Sequence, residues 1–502
     1  MAQTQFRFMN PAAFEAPAAE QNDHVPHVAE PSDTAVEVPS KRYGQRLVPQ
    51  VADELASLNP GKIYASITTG NSGNDYREVT IKELVHAANH LAWFIKSKYG
   101  MSESCETLIY MGTADIRYTA LFIAAVKCCY KLMVPSMRNS ANMNRALMET
   151  TNCRKVFYSD GLESKADQMK NSEVTVETCA IAQFDQLLSE PFKHFPYEKS
   201  YEDRRLQVGG IKTTHSGTSM VEEDSIPRIH RFAQVFSHLV NCKAKILLKL
   251  AGFVTMCFLP IMYPATAVLG PPDRPPTGAM VYQIMKHSQL RAITCAPSIL
   301  EQLIQEPGGL DLASKLDFII YTGGPLSRSA GDALSKVTDV AQLYGSTETG
   351  VIPTLVPRQE DSAYFELQPS YGHKMELIGD DEYEMVIYKD MDLAWVRGVA
   401  HTFPEVDEWR TRDVFKPHPN PSKPGLWRVH GRRDDIMVLG NGERFNPVPM
   451  EAILQGHPLV AGALIVGYGR FHPALLIEPS KTPSTDEALI ESIWPYYKRS
   501  KQ

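Results

Sequence analysis

The stretch LYGSTETG, residues 343–350, sets the hydroxyls of Ser346 and Thr347 beside a single carboxylate, Glu348, with glycines on both sides. Hydroxyls and exposed backbone amides suit phosphate oxygens. A carboxylate beside them would repel phosphate unless a cation joined the two. Magnesium does so, because it takes one or two carboxylates and fills its remaining positions with phosphate oxygens or water. Glu348 is therefore expected to ligate Mg2+, with Ser346 and Thr347 facing phosphate. The same residues can also be read as a hairpin-like turn carrying a surface acid.

Other segments carry complementary chemistry. TTHSGTSMVEEDSIPRIH, 213–230, offers the hydroxyls of Thr213, Thr214, Ser216, Thr218 and Ser219, and Gly217 lets backbone approach a ligand. It then turns acidic at Glu222, Glu223 and Asp224. Those charges oppose phosphate, although exposed charges are screened beyond about 8–10 Å. EWRTRDVF places Asp413 in a short polar break, suited to accept hydrogen bonds from the two hydroxyls of a ribose. YTGGPLS, 321–327, is a backbone-exposing turn against which a flat base could lie. GRRDDIMVLGNGERFNP, 431–447, joins a basic pair, an acidic pair, a strand and a glycine turn. Alone, Asp434 and Asp435 also read as a solvated turn.

These segments need strands to hold them. Apolar residues Leu84, Ala87, Ala88, Leu91, Ala92 and Ile95 recur at helical spacing within 78–100, and Thr80 is a plausible N-cap. ETLIYMG and VFYS read as strands, and ADIRYTALFIAAVKCCYKL between them as a buried helix that includes Cys128 and Cys129 as packing residues. LRAITCAPSILEQLIQ reads as strand, proline turn and helix, while LDFIIYTGGPLS and VAQLYGSTETG are strands running into loops. Such alternation implies layered α/β structure with a largely parallel sheet, and ligands of open α/β sheets bind at loops after strand ends. From about 366 onward the pattern changes to short alternating strands such as YEMVIYK and GLWRVHG.

The chain has 502 residues, which suggests more than one lobe. A formal charge of -7 argues against non-specific nucleic-acid binding. Eight scattered cysteines, with no metal-ligand spacing, suit a reducing, cytoplasmic setting. The start lacks a secretory pattern. The uncharged run from Leu250 to Gly270 contains Pro260 and Pro264, and reads as a helix end, a short buried strand and a turn rather than a membrane span. Residues 1–40 read as a flexible arm, 41–430 as a large lobe and 431–502 as a small lobe.

In this order, with AHTFPEVDEWRTRDVFKPHP at 400–419 and KPGLWRVHGRRDDIMVLGNGERFNP at 423–447, the segments resemble the adenylate-forming, or AMP-binding, superfamily. The nearer likeness is to adenylation domains of fungal nonribosomal peptide synthetase-like carboxylic acid reductases, and it runs from about residue 45 to the end. The resemblance implies an α/β fold, with a large N-terminal adenylation lobe of layered, largely parallel sheets and a small, incomplete C-terminal α+β lobe. It implies that ATP and Mg2+ activate a small carboxylic acid as an acyl-adenylate, with AMP as the nucleotide retained. Tyr344, Gly345 and Ser346 would lie at the nucleotide, with Tyr344 flanking adenine. Gly323, Gly324 and Pro325 would line the base, and Asp413 and Arg432 would hold the ribose. Thr347 would contact the α-phosphate, Glu348 would bind Mg2+, and Asp434 would be the hinge. Thr214, His215, Ser216, Gly217, Thr218 and Arg228 would close on the outer phosphates.

The sequence departs from that family in two places. Met220 replaces a glycine of the phosphate loop, extra acidic residues precede Pro227, and Arg228 stands for the usual lysine. The late lysine of the small lobe is not matched by Lys498 or Lys501, which read as a basic tail. No carrier or reductase segment is expected within the chain, so acyl transfer would need a carrier protein or thiol in trans. Two alternatives remain: a catalytically impaired nucleotide-binding relic, and a free-standing acyl-CoA ligase.

Overall fold

The computed structural model describes residues 47–500 apart from 70–74, 114, 136–140, 171–174, 190, 200–218, 222–243, 249–255, 258, 264, 273–275, 347–348, 356, 369–370, 380, 391–396, 398, 400–402, 404, 434–436, 440–443, 446, 456, 458 and 480–484. The expected arm at 1–40 lies outside these residues. The chain groups into two units. One holds residues up to Arg274 with Gly345–Val351 and Trp395–Thr402, and the other holds Pro275–Tyr344, Ile352–Ala394 and Phe403–Gln502.

The first unit opens with α1 (Val48–Leu58), β1 (Ile63–Thr69), β2 (Asp75–Thr80) and α2 (Ile81–Tyr99). It continues through β3 (Thr107–Met111), α3 (Arg117–Lys127), β4 (Lys131–Val134), α4 (Ala141–Thr150), β5 (Lys155–Tyr158), α5 (Glu163–Asp167), β6 (Glu177–Ala180) and α6 (Phe184–Ser189). It ends with β7 (Ser219–Val221), β8 (Ala244–Leu248), α7 (Leu259–Met262) and β9 (Ala265–Leu269). Strands β6, β5, β3 and β4 run parallel, and β7 joins antiparallel at the edge of β4. Every residue of β3 is buried, as a central parallel strand covered on both faces requires.

Helix α2 starts where its sequence predicts. The Thr80 hydroxyl accepts the Glu83 N–H at 3.2 Å, and the Glu83 carboxylate accepts the Thr80 N–H at 2.7 Å. This reciprocal pair satisfies two donors that a helix start otherwise leaves orphaned. Helix α3 is shorter than the sequence pattern suggests. It ends at Lys127, Cys128 caps it, and Cys129 turns the chain at a φ of 62°. The reason is strand pairing: Lys131 and Leu132 align with Thr107 and Leu108 of β3, so these residues leave the helix for the sheet. Cys128 is fully buried, as a packing residue should be. The apolar run at 250–270 contains the short α7 and the buried strand β9, and none of the described helices is long and apolar enough to cross a membrane.

A buried ammonium ties three helices together. Lys127 Nζ donates to both Asp53 carboxylate oxygens at 2.8 and 2.7 Å, to Asn89 Oδ1 at 2.7 Å and to the Phe195 carbonyl at 3.2 Å. Its side chain has 0% exposure, and burial lowers its pKa against the pull of Asp53. Asp53 lies on α1, Asn89 on α2 and Lys127 on α3.

The second unit begins with α8 (Gly278–His287), β10 (Ala292–Cys295), α9 (Pro297–Leu303), α10 (Gly309–Ala313), β11 (Phe318–Thr322), α11 (Arg328–Leu334) and β12 (Asp339–Leu343). Here β10, β11 and β12 are parallel. In the first unit, β13 (Gly345–Ser346) and β14 (Gly350–Val351) form a small antiparallel ladder. The second unit then resumes with β15 (Thr354–Leu355), β16 (Phe365–Leu367), β17 (His373–Gly379), β18 (Glu382–Tyr388), β19 (Glu408–Pro417) and β20 (Leu426–Arg432). These six make an antiparallel sheet in the order β15-β16-β20-β19-β18-β17, as the alternating sequence implies. Beyond it lie β21 (Met437–Val438), β22 (Arg444–Phe445), α12 (Val448–Gln455), β23 (Val460–Val466), β24 (Ala474–Pro479) and α13 (Asp486–Ser500). Leu454, Val460, Ala463, Leu489 and Ile493 form a small core there. Lys498, read from sequence as part of a tail, belongs to α13.

The Lys127 cluster generates a test. Asp53→Ala leaves the ammonium buried without its counter-charge and should cost about 3–5 kcal/mol. Lys127→Met should cost less, because the Asp53 side chain keeps 19% exposure and can be hydrated. Chemical denaturation of both variants checks the order, and equal losses would contradict it.

Candidate functional site

Strand β12 delivers Tyr344 directly after its last residue. The Tyr344 ring stacks on Phe365 at 5.5 Å and meets Phe415 edge-on at 5.3 Å. Both phenylalanines have 0% exposure, so the tyrosine is seated in a rigid aromatic wall. Its hydroxyl donates to Asp413 Oδ2 at 2.5 Å. Burial pushes the phenol pKa well up, and the neighbouring carboxylate pushes the same way. The phenol thus stays protonated and keeps donating to Asp413.

Asp413 does not sit in a polar break, as its sequence context suggests. It is an internal residue of β19. What the sequence registers as a break is an irregularity in the ladder: Glu384 pairs with Val414 but Val386 pairs with Arg410, and Arg412 takes a φ of 60°. The chain therefore bulges immediately before Asp413, and bulges commonly re-aim side chains beside functional sites. On the other side of β19, Asp413 pairs in register with Arg432 of β20, and their side chains approach at 3.5 Å. The Asp413 side chain is 15% exposed and that of Arg432 is 45% exposed. Tyr344, Asp413 and Arg432, three residues remote in sequence, are thus brought together within the second unit.

The residue patterns do not single out two supporting residues. Glu384 of β18 has a side chain with 0% exposure; it accepts the Arg412 N–H at 3.0 Å and the Arg433 guanidinium at 2.9 Å. A signal existed, since Glu384 lies inside the apolar run YEMVIY, where an acid must be paired. Thr349 is the other. Its hydroxyl accepts the Ser346 N–H at 3.0 Å and lies 3.1 Å from Ser346 Oγ, while Ser346 Oγ accepts the Thr349 N–H at 3.2 Å. The Ser346 hydroxyl is therefore engaged within its own turn. Gly345 is exposed, and the flanking ladder has the hairpin-like form that the sequence also permitted.

The Gly-Gly-Pro turn follows β11. Gly323 has a φ of 88°, in the left-handed region that favours glycine. Gly323 and Pro325 are exposed, and a Cβ built on Gly324 would meet nothing within 4 Å. The turn offers bare backbone and open space, which suits a flat ring.

Thr347 and Glu348 lie outside the described residues. So do Thr214, His215, Ser216, Gly217, Thr218, Arg228 and Asp434, the residue expected to be the hinge. Of the 213–230 segment, Ser219–Val221 form β7, with Met220 aligned to Met133. Among the described residues no group of three or more histidine, cysteine, aspartate or glutamate side chains could hold a metal. Those with a cysteine contain no disulfide.

Known proteins resemble two parts of the chain. Residues 247–385 match the model for AMP-binding enzymes, and residues 434–501 match the model for the AMP-binding enzyme C-terminal domain. The structure superposes on o-succinylbenzoate CoA synthetase of Bacillus subtilis, solved with its acyl-adenylate intermediate, with a TM-score of 0.66 at 18% identity over 91% of this chain and 92% of that one. This is the AMP-binding fold, and the chain resembles the fungal adenylate-forming reductases. It is 28% identical to the carboxylic acid reductase of Neurospora crassa over 90% of its length, and 25% identical to adenylate-forming reductase Nps11 of Serpula lacrymans over 90%. It spans 46% and 44% of those two proteins, somewhat under half of each.

Tyr344→Phe removes the donor to Asp413 Oδ2 without changing the ring stack. The loss should destabilise the protein by about 1–2 kcal/mol, the cost of leaving a partly buried acceptor short of a donor. Chemical denaturation measures it, and an unchanged midpoint would show that the hydroxyl does not restrain Asp413.

Proposed function

We propose that the chain uses ATP and Mg2+ to activate a small carboxylic acid as an acyl-adenylate, in a nonribosomal peptide synthetase-like biosynthetic setting. The observation that carries this is the Asp413 carboxylate, fixed by Tyr344 and Arg432 at a bulged strand. A carboxylate accepts up to about four hydrogen bonds, so it can serve Tyr344 and two ribose hydroxyls together. The open Gly323–Gly324–Pro325 turn lies in the same unit and suits the adenine ring. Tyr344 would flank that ring through whatever face its aromatic neighbours leave.

In the reaction, a carboxylate oxygen of the acid attacks the α-phosphorus of ATP. An acyl O–P bond forms, the bond from the α-phosphorus to the bridging oxygen breaks, and pyrophosphate leaves with that electron pair. The protein's part is positioning and charge stabilisation. Asp413 and Arg432 hold the ribose, Gly345 and Ser346 pass beside the nucleotide, and Thr347 donates to the α-phosphate. Magnesium held by Glu348 would neutralise charge shared with the phosphates. Thr214, His215, Ser216, Gly217, Thr218 and Arg228 would close over the outer phosphates. The altered phosphate loop, with Met220 and the acids at 222–224, would weaken the hold on the outer phosphates. A carrier protein or thiol would accept the acyl group in trans, and Asp434 would be the hinge between half-reactions.

Lobes at 41–430 and 431–502 follow from the same reading, which the C-terminal domain match beginning at 434 supports. A cytoplasmic location is part of the same proposal, from eight scattered cysteines without metal-ligand spacing.

A nucleotide-binding relic is the second reading, favoured by Met220 and by the acids at 222–224. Two measurements separate them. ATP with Mg2+ at a hundred times its dissociation constant should stabilise the protein by about 2.7 kcal/mol on either reading. Acid-dependent exchange of labelled pyrophosphate into ATP should appear only for the enzyme. Binding without exchange across a broad acid panel identifies the relic, and no binding removes both.

A further inference from the structure

Asp413 and Arg432 are opposite one another on adjacent antiparallel strands. Arg412 precedes Asp413, and Arg433 follows Arg432, so the two flanking residues lie on the same side of that pair. One side chain grips both. Glu384 Oε1 takes the backbone N–H of Arg412 at 3.0 Å, and Glu384 Oε2 takes Arg433 Nη1 at 2.9 Å. Arg410 Nη1 stands 3.6 Å from the same Oε2, and it is steadied by Glu376 at 2.9 Å and Glu408 at 3.0 Å.

The backbone contact has a particular consequence. Arg412 is the residue in the left-handed region, and its N–H points at Glu384 rather than into a regular ladder. A non-glycine residue persists there only when its surroundings hold it. Glu384 supplies that hold, and the aim of Asp413, one residue on, follows from it. The carboxylate has 0% exposure, and removing its charge leaves the Arg412 N–H and the Arg433 guanidinium without their shared anionic acceptor.

We propose that Glu384 is a positioning residue for nucleotide selection: by clamping Arg412 and Arg433 it sets the Asp413–Arg432 pair at the spacing that reads the ribose hydroxyls. This rests on the assignment of Asp413 to the ribose made above. Glu384 touches no nucleotide; it acts through Asp413. The clamp also grips the residue next to Asp434, so ribose binding and the exit of β20 share one anchor.

The test compares affinities for ATP and 2′,3′-dideoxy-ATP, each with Mg2+, by calorimetry on the full chain. Wild type, Glu384→Gln, Asp413→Asn and the double variant are compared, with thermal stability measured alongside. Wild type should prefer ATP, and Asp413→Asn should erase most of that preference. Glu384→Gln should reduce the preference about fivefold or more, and the double variant should match Asp413→Asn alone, since coupled residues are non-additive. A Glu384→Gln protein that loses stability yet keeps the wild-type preference overturns the positioning role, as does a double variant in which the two losses multiply. Wild type without any preference for ATP overturns the ribose assignment itself and the inference with it. Should Glu384→Gln fail to fold, Arg433→Gln is read in its place against the same outcomes.

Discussion

The site depends on holding one carboxylate, correctly aimed, inside a sheet. Asp413 is 15% exposed, too buried to be positioned by water and too charged to be left alone. Two contacts and a backbone bulge resolve this. Tyr344 donates to one oxygen, Arg432 faces the other, and the bulge before Asp413 turns the side chain. Each of these then needs its own support: the aromatic wall for Tyr344, strand pairing for Arg432, and Glu384 for the bulge.

The architecture divides the work accordingly. Parallel strands β10–β12 bring Tyr344 and the Gly-Gly-Pro turn to strand ends, where open α/β sheets present ligand-binding loops. The antiparallel sheet brings Asp413 and Arg432 into register. Residues 69 positions apart in sequence meet because Phe365 of β16 and Phe415 of β19 bury the ring of Tyr344. The apolar burial is non-directional, while the hydrogen bond at its end is directional, and the combination fixes a polar group with few atoms.

Much of this was legible from residue patterns, and the misses have physical causes. Helix α2 is readable because its apolar spacing and its cap agree. The end of α3 is not, because the residues 128–132 have enough apolar character for a helix and only pairing with β3 moves them out. The polar break expected at Asp413 is instead a bulged strand, and the sequence of one strand cannot display a bulge, which exists only between strands. Glu384 is hard to single out from sequence for a related reason. In YEMVIYK the alternation reads as an ordinary strand, and what a buried acid pairs with lies 28 and 49 residues away. Glycine turns, by contrast, are local, and the Gly-Gly-Pro turn is where its sequence puts it.

The central claim is that Asp413 receives the hydroxyls of a nucleotide ribose. A crystal structure of the full chain with ATP and Mg2+ tests it most directly. The account requires the ribose hydroxyls to donate to the Asp413 carboxylate, with the base against the 323–325 turn. A nucleotide seated elsewhere, or a ribose turned away from Asp413 while Tyr344 keeps its contact, would contradict it.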